Sequence, residues 1–395
     1  MFANLAARRR AFPALDTRVH GHRLAYLDAA ATGLQPRAVI DAVAGAAHLG
    51  NPGRGVHALA EAATQAIDDA RATVAALLGG RRDDLVFTSG TTAAINLVAD
   101  TWGRANVGPG DVVIASELEH HSNLLPWQRL CAERGAHLEL ARVDDEGHVD
   151  VALTDRVKLV AIAHVSNVVG TIAPVRALCA RAHAIGARVL VDGAQAVAHL
   201  AVDVGALDCD FYAFSGHKLH GPTGTGVLWA RGELLAAMPP WQLGGGMVTH
   251  VDTHGARFRE PPARFEAGTP NTAGIVGLAA AVRFVRDLDR AEVAADEAAV
   301  HAALVDTVRA AGGTILGRPE LAVVAFDLPG FHPHDIATIA DGEGVALRSG
   351  HHCAEPIHRR FGVGASTRAS VACYSGLDDV AQLARALAKV REVLG

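Results

Sequence analysis

Between Leu85 and Asp192 the chain alternates short apolar runs with segments of helical period. Leu85-Val86-Phe87-Thr88, Val112-Val113-Ile114-Ala115, Leu159 to His164 and Arg188 to Asp192 are short and β-branched, which predicts buried strands. Between them, Thr91–Trp102, Ser122–Glu133 and Val175–Ile185 carry apolar residues at helical spacing. Strands alternating with helices predict a mostly parallel sheet with crossover helices. Upstream, Pro36 to Leu49 reads as a helix opening on proline, and His57 to Leu78 as a longer amphipathic helix. After Gly268-Thr269-Pro270-Asn271-Thr272 the texture changes. Residues 274–311 are alanine-rich and helical with a break near Asp287–Asp289. Strands at Leu321–Leu328 and Val345–Leu347, a helix at Asp335–Glu343 and a last helix at Asp378–Leu394 complete the pattern. The organisation expected is an N-terminal arm (residues 1–25) packing with a small domain, a large α/β domain (26–275), and a smaller α+β C-terminal domain (276–395).

Composition narrows the class. Half of the 395 residues are hydrophobic and 20% are charged, the balance of a globular protein rather than a disordered one. A net charge of -6 gives no reason to expect nucleic acid or an anionic membrane as partner. No run approaches the ~18 apolar residues of a membrane span. Arg8-Arg9-Arg10 follow the first apolar stretch, the reverse of a secretory signal, so a cytoplasmic location is expected. The five cysteines are scattered without a Cys-x-x-Cys pair, which argues against a disulfide framework or zinc ribbon. Cys131, Cys179, Cys209 and Cys373 sit in apolar surroundings; Cys353 instead follows glycine and two histidines.

Phe211-Tyr212-Ala213-Phe214-Ser215-Gly216-His217-Lys218 runs from a buried strand into a loop that continues as His220-Gly221-Pro222-Thr223-Gly224-Thr225-Gly226. A lysine at such a break is either an ordinary turn residue or, partly desolvated, an amine of lowered pKa suited to forming an imine. Asp192 closes a predicted parallel strand, where open α/β sheets bind ligands, although Asp-Gly is also an ordinary turn. Thr88-Ser89-Gly90-Thr91-Thr92 joins strand to helix and offers hydroxyls and free N–H groups to an anion, or merely a cap. Adjacent histidines at 120–121 and at 351–352 could in principle ligate metal, but further ligands are not evident, and no metal is expected.

Taken together, Asp192, Ser215-Gly216-His217-Lys218 and Arg348-Ser349-Gly350-His351-His352-Cys353-Ala354 resemble the class V aminotransferase group of fold-type I pyridoxal 5'-phosphate (PLP) enzymes. Within that group the chain is similar to the SufS-type, or group II, cysteine desulfurases, from Leu24-Ala25-Tyr26-Leu27-Asp28 to Arg368-Ala369-Ser370. The resemblance implies a fold-type I PLP-dependent transferase: a mostly parallel central sheet with flanking helices plus a smaller α+β domain. It implies Lys218 as the imine-forming lysine and Asp192 as partner of the pyridine nitrogen. Thr91, Thr92, Ser215 and His217 would bind the cofactor phosphate, with Thr269 reaching it from the second copy of a homodimer. His120 would stack on the ring and assist proton transfer, while Asn167 and Gln195 would meet the ring hydroxyl and substrate. Arg368 would anchor the substrate carboxylate, Arg348 would order the cysteine loop, and Cys353 would be the nucleophile, its thiol acidified by a nearby imidazolium.

The activity implied is removal of sulfur from L-cysteine as a Cys353 persulfide, passed to an acceptor protein of SufE or SufU type for iron–sulfur cluster assembly. Alternatives are selenocysteine lyase acting on L-selenocysteine, an aminotransferase or C–S lyase without persulfide, and a non-catalytic interaction protein. Four positions depart from the family's usual pattern: Gly53 in place of a histidine, Ser89 of an arginine, Ala93 of a glutamate, and Glu355 of methionine or glutamine. They leave partner choice and persulfide protection open.

Overall fold

The structure, a computed structural model, describes residues 4–53 and 55–395; Arg54, in the Asn51–His57 stretch that holds the Gly53 departure, lies outside them. The alternating runs form one seven-stranded sheet. In chain order its strands are β1 (Leu85–Thr88), β2 (Val112–Ser116), β3 (His137–Ala141), β4 (Val157–Ala163), β5 (Arg188–Asp192), β6 (Phe211–Ser215) and β7 (Gly226–Ala230). They lie side by side as β1-β7-β6-β5-β4-β2-β3, parallel except for β7, which is antiparallel to both neighbours. The link from Gly216 to Thr225 is too short for a helical crossover, so the chain must turn back.

Both faces of the sheet are covered, which is why its strands read as continuous apolar runs. Val189, Val191 and Phe214 enter one core, whereas Leu190, Phe211 and Ala213 enter the core on the opposite face. The sequence reading did not anticipate β3 and β7. The edge strand β3 is His-Leu-Glu-Leu-Ala and largely exposed, so it lacks an apolar run.

The helices used below are α1 (Leu5–Arg10), α2 (Arg37–Ala46), α3 (Ala58–Leu77), α4 (Thr91–Val98), α5 (Leu125–Arg134), α6 (Val175–Ala184), α7 (Thr272–Arg286) and α8 (Arg290–Ala310). The helix expected over Thr91–Trp102 changes to a π turn at Ala99–Gly103. That expected over Ser122–Glu133 opens as a 3₁₀ turn, His121–Asn123, before α5. The domain boundary expected at 275 falls inside α7, which packs on α2 and α3.

A second sheet, β8 (Thr314–Ile315), β9 (Val323–Asp327), β10 (Arg348–Gly350) and β11 (Ser366–Ser370), is antiparallel in the order β8-β9-β11-β10. Helices α9 (Pro333–Gly342), α10 (Glu355–Arg360) and α11 (Leu377–Leu394) accompany it. The short strand Ala25–Tyr26 pairs with Val345–Ala346, not within this sheet, and Asp28 bridges to Ser370. At the start of the chain Arg8 is fully buried. Its Nε donates to the Cys373 carbonyl at 2.8 Å, and its guanidinium meets Glu292 and Asp296 of α8. These ties hold the N-terminal segment against the C-terminal part and set Asp28 beside Arg368.

Candidate active site

The carboxyl ends of the parallel strands converge on one side of the sheet, the usual ligand position of open α/β folds. A cavity of about 180 Å³ opens there, lined by Asp192 from the end of β5, Ser215 from the end of β6, and Lys218 just beyond. The uncapped start of α4 forms one end. The Thr91 N–H donates to Ser215 Oγ at 2.8 Å, the Thr91 hydroxyl lies 2.7 Å from the same oxygen, and Thr92 Oγ1 lies 2.6 Å from Ser122 Oγ. A Cβ on Gly226 would lie 2.3 Å from Gly90 Cα, so glycine there lets β7 approach this turn. His217 Nδ1 sits 3.1 Å from Thr32 Oγ1. An uncapped helix start surrounded by hydroxyls and an imidazole suits a phosphate.

At the centre, Asp192 Oδ1 accepts from the Ala194 N–H at 2.9 Å. Burial pushes its carboxyl upward, opposed by Lys218; burial likewise pushes the Lys218 ammonium down, opposed by Asp192. Lys218 therefore has the lowered pKa that imine formation needs. His120 accepts from the Ser122 N–H at 3.1 Å through Nδ1, and burial, then Lys218, pushes it to about 3. It is neutral at ordinary pH and free to stack on a ring. This donor set fits PLP: an anion pocket, a carboxylate and a desolvated amine around one small cavity.

The sequence reading gave no role to the layer beneath. Glu119 is fully buried, accepting from Ser116 Oγ at 2.5 Å and Asn123 Nδ2 at 2.6 Å, and burial pushes its carboxyl to about 8. His164 Nδ1 lies 3.0 Å from the Tyr212 hydroxyl. A Cβ on Gly193 would stand 2.1 Å from the Tyr212 ring, so only glycine lets the Asp192 turn rest on it.

At the opposite end Arg368 is buried. Its Nη1 donates to the Asn167 carbonyl at 2.9 Å and its Nη2 to Asp28 at 3.1 Å, while its Nε has no partner among the described residues. Asp28 also faces Arg348 at 3.6 Å, so one carboxylate lies between two guanidiniums. The role of Asp28 was not foreseen, although it closes the Leu24–Asp28 motif.

Cys353 is exposed at the cavity wall, on a loop in which His352 and Cys353 both have left-handed backbone, φ 52 and 56. Asn167 Nδ2 donates to the His352 carbonyl at 2.8 Å, so in this structure that amide holds the cysteine loop. The imidazolium expected beside Cys353 is not His352. Burial, then Arg368, pushes that ring to about 2, and its Nε2 meets Ser366 Oγ at 3.0 Å. Burial also pushes His358 down. Arg368 and Lys218 both interact electrostatically with Cys353.

Two expected residues stand outside the cavity. Gln195 Nε2 donates to the Ala30 carbonyl at 2.8 Å and so supports the wall formed by Ala30 and Ala31. Thr269 lines a separate pocket of about 280 Å³ with Ser89, Ala93 and Asn271. Among the described residues no group of three or more His, Cys, Asp or Glu side chains is placed to share a metal ion, and no helix is long and apolar enough to cross a membrane.

Comparison with known proteins agrees with this geometry. Residues 25–383 match the family described as aminotransferase class-V. A cysteine desulfurase of Dickeya dadantii (strain 3937) is 46% identical, covering 97% of this chain and 96% of the relative. One of Klebsiella pneumoniae subsp. pneumoniae is also 46% identical, covering 97% of each. The crystal structure of the Escherichia coli cysteine desulfurase CsdA, in an S-sulfonic acid form, superposes with a TM-score of 0.92 at 38% identity and covers 99% of both chains. Family match, near full-length relatives and fold agree: the chain belongs to the class-V aminotransferase family, and within it to the PLP-dependent cysteine desulfurases.

Proposed function

We propose that this protein converts L-cysteine to L-alanine and holds the abstracted sulfur as a persulfide on Cys353. The observation that carries this reading is the meeting of Lys218, Asp192, Arg368 and Cys353 around one cavity. PLP, when bound, supplies an aldehyde that condenses with amines and a ring that draws electrons from the adjacent carbon. Lys218, its ammonium destabilised by burial, would be the amine that holds that aldehyde and, when freed, the base for the substrate's α-proton. Asp192 would hold the ring nitrogen. Thr91, Thr92, Ser215 and His217 would hold the phosphate, joined by Thr269 from a second copy of the chain. His120 would cover the ring and Asn167 would lie near its hydroxyl, while Gln195, outside the cavity, supports the wall through Ala30. Arg368 holds the substrate carboxylate, with Arg348 and Asp28 fixing its fork. The Cys353 thiolate attacks the substrate sulfur: an S–S bond forms, the C–S bond breaks, and its electron pair returns to the carbon, which is protonated to alanine.

Exposure of Cys353 supports onward transfer to an acceptor protein, in our reading one of SufE or SufU type serving iron–sulfur cluster assembly. The homodimer, the SufS-type subgroup, a cytoplasmic location and the division into an N-terminal arm, a PLP-binding domain and a small domain carrying the Cys353 loop belong to the same proposal. The test is alanine release from L-cysteine with a thiol reductant, comparing the natural protein with Cys353→Ala. Stoichiometric alanine, lost in the variant while PLP stays bound, is expected. Pyruvate as product, or a variant that still desulfurates cysteine, would replace the persulfide reading with a lyase.

A further inference from the structure

Cys353 depends on a loop whose backbone is costly to hold. Left-handed φ at two successive non-glycine residues, His352 and Cys353, is strained and persists only when the surroundings impose it. Besides the Asn167 amide, His121 supplies part of that restraint; it lies after the end of β2, far from Cys353 in sequence. Its backbone N–H donates to the Cys353 carbonyl at 2.7 Å. Its side chain accepts, through Nε2, the N–H of Glu355 at 3.3 Å. Glu355 opens α10, whose N-cap, Ala354, makes no side-chain capping bond. The imidazole of His121 thus stands in for the missing cap and fastens the loop on the far side of the nucleophile. One residue thus holds the chain at the Cys353 carbonyl and again two residues further on.

We propose that His121 is the positioning residue of the Cys353 nucleophile: its imidazole acceptor and backbone donor together set the loop at the distance sulfur transfer requires. The role assigned to Cys353 rests on the desulfurase reading, whereas the clamp itself rests on the two hydrogen bonds. It also gives position 121 a task different from that of its neighbour His120, whose Nδ1 is engaged by Ser122 at the cavity. The acceptor must be a neutral nitrogen or an oxygen that reaches as far as Nε2. Glutamine meets that need, and phenylalanine keeps the bulk without it.

The experiment compares His121→Gln and His121→Phe in the PLP-loaded protein. Two rates are read: L-cysteine turnover, and alkylation of Cys353 by iodoacetamide followed by peptide mass analysis. The other four cysteines are buried. Loss of the acceptor is expected to lower kcat about tenfold with KM within about twofold, and to change the alkylation rate at least about threefold. The visible absorbance of bound PLP should not move, which separates a loosened loop from a damaged cofactor site. His121→Gln should restore both rates to within about twofold of the natural protein. If His121→Phe fails to fold, His121→Ala supplies the same comparison. Unchanged rates without the acceptor would overturn the proposal, as would glutamine failing as badly as phenylalanine. Altered alkylation with no desulfuration in any form, the natural protein included, would uphold the clamp and sink the desulfurase reading instead.

Discussion

Replacing Glu119 by glutamine should flatten part of the pH dependence of stability. The carboxyl is fully buried beneath the site, and its pKa rises from 4.5 to about 8, chiefly through desolvation, against the pull of Ser116 and Asn123. Between those values the folded chain keeps a proton that the unfolded chain has released. The folded state then binds more protons, so stability falls as pH rises through that window and levels off above about 8. At 1.36 kcal/mol per pKa unit the loss between pH 5 and 9 is on the order of 4 kcal/mol. With an unfolding entropy of about 2.1 cal/mol/K per residue, that is roughly 5 °C in melting temperature for a chain of this length. Glutamine imitates the protonated acid, because it is neutral, of the same shape, and keeps an oxygen that accepts from Asn123. Melting temperatures of both proteins, at fixed protein and excess PLP from pH 5 to 9, give a difference in which other groups cancel. The variant should gain on the natural protein across that range. A difference that stays flat would refute a protonated Glu119.

Arg368→Ala should raise KM for L-cysteine at least about thirtyfold while leaving bound PLP visible, since it removes a buried fork and leaves Asp28 to Arg348 alone. Lysine at that position should not restore the loss, because it cannot make the same paired contacts. Arg8→Ala should cost about 2 kcal/mol of stability, measured by urea unfolding, through loss of its bonds to Cys373, Glu292 and Asp296. Gly193→Ala should destabilise the protein by about 1 to 3 kcal/mol and loosen PLP, because the added methyl meets Tyr212 and displaces the Asp192 turn. Full PLP retention at natural stability would contradict that.

Much of the fold was legible because the central strands are buried on both faces. Runs such as Arg188–Asp192 and Phe211–Ser215 announce themselves by apolar content alone. The edge strand β3 escapes that signal, and β11 is written Ser-Thr-Arg-Ala-Ser yet is entirely buried, since its burial comes from β9 and β10 rather than from its own character. Lys218, Asp192, Arg368 and Cys353 were legible as chemistry from their motifs, and one cavity brings them together. What escaped was relational. Asp28 matters through two arginines more than 300 residues away, and His121 through a loop more than 200 residues away. His352 is a similar case: burial by the surrounding fold decides its charge, and its neighbours in sequence do not.

The most direct test of the central claim is mass analysis of the Cys353 peptide after one turnover with L-cysteine, without reductant or acceptor. The account predicts that Cys353 gains the mass of one sulfur atom as one alanine is released, and that Lys218→Ala abolishes both. Alanine formed with Cys353 unmodified, or the sulfur atom found on one of the buried cysteines instead, would contradict it.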